Sequence, residues 1–522
     1  MCIPDNSPEH RNIFRCEGVF PDAESGSGVW GAVSYLLKER CVTSTVEQVK
    51  RADTPAPQPV SPRHPLHSII GAIGSYFLIR IAARASYGIL STYLAQKVTG
   101  SATVASIIVT VFFISELGLA PIFGNLSDRY GRRPFLIFSP VCGAAASGIF
   151  ALVTLLPVAG TQVTGLVRVV LILVFAGGRL LEGISAACAA PAGLGFLADV
   201  SGGNEERRVR VMTAFEVTTV LGVVIGIPVG NLLYGLADVH GFFGVLAIYM
   251  ITVVILGATV VESRVHAAAP QAPERLGRAA LGVYRMLLHR SRLLAFVPAW
   301  LAVNALLAAL LGLIQFLLSL PTAAAGTLEP KQRDADLRFP HQLLVGGFDQ
   351  GTIALLLGTF GAMLIVGMVL WTFILPRIRR PVAMRIALGG FLAISVLLAI
   401  TNRLGENPQT LSPQAHHALW IILPLIALCV IVASGFAPAA LTYLATLSEE
   451  MPGERGAVMG LYSLLLGGGQ LLGTWIGGVF ADIAGFNGLI VFSLLLTALA
   501  FWSVHVSADH LSDHARHDSG SF

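Results

Sequence analysis

Charged residues are scarce in this chain, and their scarcity argues against a soluble protein. Asp, Glu, Lys and Arg make up only 12% of the 522 residues, whereas soluble domains carry roughly 25%. Apolar residues make up 54%, and the formal net charge is only +4. No basic domain is left to bind nucleic acid, and the dominant property of the chain is its mean hydropathy of +0.73.

The residue sets that support catalysis or metal binding are also missing. The six cysteines show neither metal-ligand nor disulfide spacing: Cys2, Cys16, Cys41, Cys142, Cys188 and Cys429. The sequence contains no nucleotide-binding loop and no nucleophile constellation, and histidine is nearly absent from its apolar runs. We therefore expect no enzymatic activity, no cofactor and no metal site.

Apolar runs long enough to cross a bilayer recur along most of the chain. Twelve runs lie at 67–96, 102–124, 134–156, 167–199, 212–235, 242–262, 293–320, 352–375, 382–401, 418–447, 456–480 and 486–505. A helix of about 20 residues spans a hydrocarbon core of about 30 Å. Because lipid offers the backbone no hydrogen-bond partners, each run must be helical. The sequence predicts an all-α membrane protein with 12 transmembrane helices.

Basic residues are distributed unevenly between alternate loops. If the N-terminus is cytoplasmic, arginine clusters fall in the inner loops, and the outer loops hold only Lys97, Lys331, Arg333, Arg338 and Arg403. This bias follows the positive-inside rule. It predicts a multi-pass protein of the plasma (inner) membrane with both termini cytoplasmic.

The spans divide the chain into five segments. We expect a disordered cytosolic tail at 1–66, a first six-helix bundle at 67–262, a cytoplasmic central loop at 263–292, a second six-helix bundle at 293–505 and a cytosolic tail at 506–522.

The two bundles carry an internal repeat. Ala190-Pro191-Ala192 recurs 247 positions later as Ala437-Pro438-Ala439. The same offset relates two rows of glycines that favour close helix packing: Gly222, Gly226 and Gly230 with Gly469, Gly473 and Gly477. Either tight packing or a sliding seam explains these rows. Six helices separate the copies, so the halves are parallel, and a substrate site between them is expected.

The loop between the second and third helices carries the most specific motif, which runs from Gly124 to Pro134 as GNLSDRYGRRP. It resembles the signature loop of the major facilitator superfamily, and with the repeat the resemblance covers about residues 67–505. The resemblance implies a cytoplasmic latch that stabilises the outward-facing state, formed by Asp128, Arg132 and Asp199. The other residues of the latch motif are Gly124, Arg129, Gly131 and Arg133. Orientation of the chain by positive charge is the alternative role of the three arginines. Leu375 stands where the repeat would place Asp128, so the latch belongs to the first half.

Two further motifs resemble those of the superfamily's drug and metabolite:proton antiporters. Arg179 to Gly183 is similar to a motif of many proton-coupled members, and Gly222 to Gly230 is similar to a motif of exporters. The second motif departs from the pattern at Ile227 and Asn231, which leaves the direction of transport open.

Six Asp, Glu or Arg residues lie more than two residues inside the ends of the predicted spans of the first half. They are Arg80, Arg84, Glu116, Arg179, Glu182 and Glu216. Charges at this depth usually face a cavity or a partner. Arg80 and Arg84 share a helix face and could clamp a carboxylate or phosphate. Glu116, Glu182 and Glu216, with Arg179, are candidates for proton coupling, and structural pairing is the alternative.

The second half offers uncharged polar residues instead, among them the substrate-binding candidates Asn304, Gln315 and Tyr443. Hydrogen bonding between helices is the alternative role for all three. We expect the first half to couple protons and the second to supply an apolar substrate wall.

These features predict a secondary active transporter that works by alternating access and exports a small organic molecule in exchange for protons. The expected partners are this substrate, protons and the lipid bilayer, with the monomer as functional unit and no nucleic acid. A symporter or uniporter of an organic anion is the alternative, and a membrane sensor that moves no solute is a more distant one.

Overall fold

The computed structural model describes most of the chain. The described residues are 3–4, 14–15, 66–155, 165–201, 205–262, 291–321, 339, 341–405, 411–449 and 455–518. The predicted central loop, apart from 291–292, and nearly all of the predicted N-terminal tail lie outside them. Most of the predicted C-terminal tail, 506–518, is described and is helical, so the helix continues past the predicted end of the last span. Backbone contacts divide the chain into two units, Met1–Arg63 and His64–Phe522. In the first unit, the described residues are two short antiparallel strands, β1 (Ile3–Pro4) and β2 (Phe14–Arg15).

The second unit is helical. Its first half contains α1 (Leu66–Tyr93), which continues as a π-helical turn at Leu94–Val98, then α2 (Ala102–Tyr130), α3 (Arg132–Thr154), α4 (Gly165–Val200), α5 (Glu205–Ala237) and α6 (Gly241–Thr259). Its second half contains α7 (Ser291–Leu318), α8 (Gln350–Ile374), α9 (Arg380–Asn402), α10 in two segments (Pro413–Ala433 and Phe436–Glu449), α11 (455–483) and α12 (486–518).

The described helices include ten segments long and apolar enough to cross a membrane. Two of these segments each contain two helices, which separate at Asp238–His240 and at Ala484–Gly485. Gly485 has a φ of 60°, a left-handed conformation that glycine adopts without strain and that reverses the chain between α11 and α12. The predicted all-α fold with 12 membrane helices is confirmed.

Helix starts follow from side chains that cap them. Ser101 begins α2 by accepting a hydrogen bond from the Val104 amide, and Asp349 begins α8 by accepting one from Thr352. Hydrogen bonds from the Thr352 hydroxyl and amide lower the pKa of the Asp349 carboxyl. Gly131 separates α2 from α3 with a φ of 101°, which is why the helix stops within the signature loop.

Each half is held together by the glycine rows. A Cβ atom at Gly226 of α5 would lie 2.5 Å from the Cβ of Arg84 on α1, so only glycine allows this approach. A Cβ at Gly473 of α11 would meet the backbone of Ala305 on α7 in the same way. The halves meet each other where α2 packs on α11 and α5 packs on α8.

Candidate functional site

A cavity of about 160 Å³ lies between the two halves. Both halves line it, through α1, α2, α5, α7 and α11: Arg80, Arg84, Tyr87, Val109, Phe113, Val223, Ile227, Asn304, Leu307, Ala308, Leu311, Gly312, Gln470 and Thr474. Most of its wall is apolar, and the two arginines are its only charged lining residues.

The glycine row of α5 fixes the position of the two arginines. A Cβ at Gly222 would lie 2.5 Å from the Cβ of Arg80, just as one at Gly226 would approach Arg84. Arg80 forms an ion pair with Glu116 of α2, with 3.9 Å between the guanidinium nitrogen and the carboxylate oxygen. The Glu116 side chain is 29% exposed, so this ion pair is only partly buried.

Arg84 differs from Arg80 in its contacts. Among the side chains that the structure describes, no partner forms a hydrogen bond or an ion pair with the Arg84 guanidinium. The residue nevertheless keeps accessible surface, because it faces the cavity.

A second ion pair, which is buried, lies behind the cavity wall. Arg179 and Glu182 of α4 form an ion pair that excludes solvent, since Glu182 is 0% exposed. The Arg179 guanidinium also lies 4.6 Å from the ring centre of Phe112 and 5.7 Å from that of Tyr87. Tyr87 lines the cavity, and its hydroxyl donates a hydrogen bond to the Gly312 carbonyl in the other half.

The three polar substrate-binding candidates of the second half differ in whether they line the cavity. Asn304 lines the cavity and donates to the Trp300 carbonyl at 2.8 Å. Gln315 is 0% exposed and donates to Gly88 and Asn231, so it links α7 to α1 and α5 and does not line the cavity. Tyr443 is buried, with its ring centre 5.2 Å from that of Phe296.

The two halves place equivalent residues around this cavity. Gly222 meets Arg80, whereas its repeat partner Gly469 meets Asn304. Arg80 and Asn304 are 224 positions apart, and the same offset relates Arg84 to Ala308 and Tyr87 to Leu311. All six line the cavity, which therefore lies on the pseudo-twofold axis. Positive charge occupies only the first-half positions.

Some of the contacts predicted for the signature loop are present in the structure. The Arg132 guanidinium lies 3.5 Å from the Asp199 carboxylate, the partner that the resemblance implies. It also donates to the Ser127 hydroxyl at 2.8 Å.

The other residues of the motif take different positions. Arg129 is exposed, and a Cβ at Gly124 would touch Pro191 of α4 at 3.5 Å. The side chains of Asp128 and Glu216 lie outside the described residues.

Glu262, just after α6, supplies a carboxylate that the sequence analysis did not select. It accepts hydrogen bonds from the backbone amides of Arg132 and Arg133, at 2.9 and 3.0 Å. Those amides begin α3, where the helix dipole favours an anion. An acidic residue at the end of an apolar run was the available signal, but its partners are 130 and 129 positions away.

An inter-half contact closes the end of the molecule opposite the signature loop. Asp482 of α11 accepts hydrogen bonds from the Ser101 hydroxyl at 2.5 Å, the Ala102 amide at 2.7 Å and the Thr103 amide at 3.0 Å. A carboxylate of the second half thus caps the first turn of α2 in the first half.

Comparisons with known proteins agree with this fold. The sequence pattern of the Major Facilitator Superfamily matches residues 72–402 and 339–518. The bacillibactin exporter of Bacillus subtilis (strain 168) is 28% identical over 142 residues, which cover 26% of this chain and 32% of that protein. The match thus spans about a third of the relative's length.

Solved structures are similar over most of the chain. The crystal structure of the nucleoside transporter NupG has a TM-score of 0.55 and 14% identity, covering 84% of this chain and 98% of that one. The peptide transporter POT, solved in complex with sulfate, has a TM-score of 0.58 and 15% identity, covering 86% and 96%. At these identities the likeness shows the fold alone. Because the family pattern spans nearly the whole helical unit, the chain belongs to the Major Facilitator Superfamily of membrane transporters and is not an enzyme.

Proposed function

We propose that this chain exports a small organic molecule in exchange for protons, by alternating access. The observation that carries the proposal is the cavity on the pseudo-twofold axis, which both halves line and which holds ionisable groups on one side only. Rocking one half against the other would expose such a site to each side of the membrane in turn. The monomer contains the whole cavity, and we place it in the plasma membrane with both termini cytoplasmic.

Glu116 is the best placed of the proton-coupling candidates. Its carboxylate is 29% exposed and pairs with Arg80, which lines the cavity. Glu182 is 0% exposed and pairs with Arg179, so proton access favours Glu116 over Glu182. Asp128, Arg132 and Asp199 remain the proposed latch of the outward-facing state.

Support for export comes from two features. One is the relative that is named an exporter, and the other is the glycine row of α5, which resembles an exporter motif. Neither fixes the direction of transport, so the direction is what an experiment has to measure.

The test uses proteoliposomes with an acidic lumen and a panel of aromatic acids, nucleosides, dipeptides and cationic dyes. A proton antiporter accumulates its substrate in the lumen whichever way the protein is inserted, and a lumenal pH dye reports the proton leaving. The Glu116→Gln variant should lose this gradient-driven accumulation but keep exchange of labelled for unlabelled substrate.

Other outcomes contradict the proposal. A symporter would release preloaded substrate from the acidic lumen, and a uniporter would ignore the gradient. Either result would favour the alternative function, which the two arginines in the cavity support. Binding of a panel compound without any movement would indicate a sensor.

A further inference from the structure

The ionisable groups around the cavity do not balance. Arg84 interacts electrostatically with Arg80, Arg179 and Glu116. Glu182 interacts electrostatically with Arg84 as well. Three guanidiniums therefore face two carboxylates, which leaves one positive charge in excess among the described side chains. An uncompensated charge at this depth is unfavourable, so such a group usually faces a cavity or a partner.

The excess charge lies on Arg84. Arg80 pairs with Glu116, and Arg179 pairs with Glu182. Arg84 faces the cavity with a guanidinium that has no such partner among the described side chains. This planar group carries five donors and suits a carboxylate or a phosphate.

The opposite wall of the cavity has no charge. Ala308 occupies the position equivalent to Arg84, and Leu307 and Leu311 flank it. Gln470 and Thr474 add uncharged hydrogen-bonding groups. A ligand that fits both walls has an anionic group at one end and an apolar body at the other.

The size of the cavity limits what fits in this conformation. Its volume of about 160 Å³ is below the roughly 300–1,000 Å³ typical of pockets for drug-sized ligands. It therefore accommodates a small organic acid, or the acidic end of a larger one.

From these observations we infer that the cavity binds an organic anion and that Arg84 is the residue that pairs with its negative charge. The inference rests on the proposed transport function and adds the charge class of the substrate to it.

The test measures binding to the purified protein in detergent, with three probes of nearly equal size: benzoate, benzamide and benzylammonium. The melting temperature is followed as a function of probe concentration. Benzoate should raise it in a saturable way, whereas benzamide and benzylammonium should not. Acetate and 2-naphthoate extend the acid series to smaller and larger bodies.

Variants assign the effect to Arg84. Arg84→Gln should weaken benzoate binding roughly 10- to 100-fold, as expected for the loss of hydrogen bonds to a charged group. Arg84→Lys should keep most of the binding. Arg377→Gln is the matched control, because Arg377 is exposed and bonds only to the Phe373 carbonyl among the described residues. Ala308→Glu keeps Arg84 but supplies an internal anion, so it too should abolish benzoate binding.

Three results would overturn the inference. They are equal stabilisation by benzamide or benzylammonium, an unchanged benzoate response in Arg84→Gln, and no stabilisation by any acid of the series. Because the measurement needs neither a gradient nor transport, its failure is separate from that of the proposed function. Anion binding without movement in proteoliposomes would reject the proposed function alone.

Discussion

At the scale of single residues, the structure separates two ion pairs that the sequence could only group together. Arg179 and Glu182 are both buried, whereas Arg80 and Glu116 keep 18% and 29% of their side-chain surface exposed. Breaking a fully buried pair strands a charge, but breaking an accessible one lets water replace the lost partner. Breaking the Arg179–Glu182 pair should therefore lower the stability of the fold more than breaking the Arg80–Glu116 pair.

We expect Glu182→Gln to lower stability by roughly 3–5 kcal/mol, because it leaves the Arg179 guanidinium buried without a counter-charge. Replacing both partners together, with Arg179→Leu and Glu182→Leu, should recover most of the loss. Glu116→Gln is the control and should change the melting temperature little. Thermal unfolding in detergent checks all three, and a Glu182→Gln protein that melts like the wild type would contradict this account.

At the scale of helices, the glycine rows decide how close the cavity-lining helices come. The row of α5 brings α1 near enough for Arg80 and Arg84 to be fixed by backbone contact, and the row of α11 does the same for α7. The sequence predicted both rows and their close packing. It left both roles open, tight packing and a sliding seam.

We expect Gly226→Ala to destabilise the protein by about 1–3 kcal/mol, the usual range for overpacking. The added Cβ would lie 2.5 Å from the Cβ of Arg84 and 2.8 Å from the Ile81 carbonyl oxygen. Gly257→Ala on α6 is the matched control, because nothing lies within 4 Å of its Cβ. Its helix should be unchanged or slightly stabilised. Equal melting temperatures for the two variants would show that the α1–α5 contact is not tight.

At the scale of the whole molecule, the fold was predictable because every membrane helix must be apolar on its own. That signal is local, so the predicted spans agree with the helices to within a few residues at most ends. A few ends differ by more. The α2 helix, predicted to end at 124, continues to Tyr130 because Gly131 is the first residue to leave the helix. The α12 helix, predicted to end at 505, continues to Asp518.

The site was less predictable because it depends on which helix faces converge. The repeat offset of 247 residues does not align α1 with α7, since the connection at 319–349 is much longer than the one at 94–101. The equivalence of Arg84 and Ala308 therefore emerged only from the packing. Gln315 and Tyr443 have the polarity of substrate ligands, but their burial among other helices was not visible in the sequence.

The proposed transport cycle requires that the two ends of the molecule open alternately, and the Asp482 contact gives a way to test this. Spin labels at Leu236 and Ile483, which are 85% and 75% exposed, report the separation of the halves at the Asp482 end. Labels at Tyr130 and Phe373, which are 73% and 65% exposed, report it at the signature-loop end.

The decisive measurement compares both label distances in Asp482→Asn and in Asp349→Asn. Among the described residues, the Asp349 carboxylate accepts hydrogen bonds from its own helix. Alternating access predicts that Asp482→Asn lengthens the first distance and shortens the second, because removing the charge weakens the inter-half cap. Asp349→Asn should change neither distance. The account is contradicted if Asp482→Asn leaves both distances unchanged or moves both in the same direction.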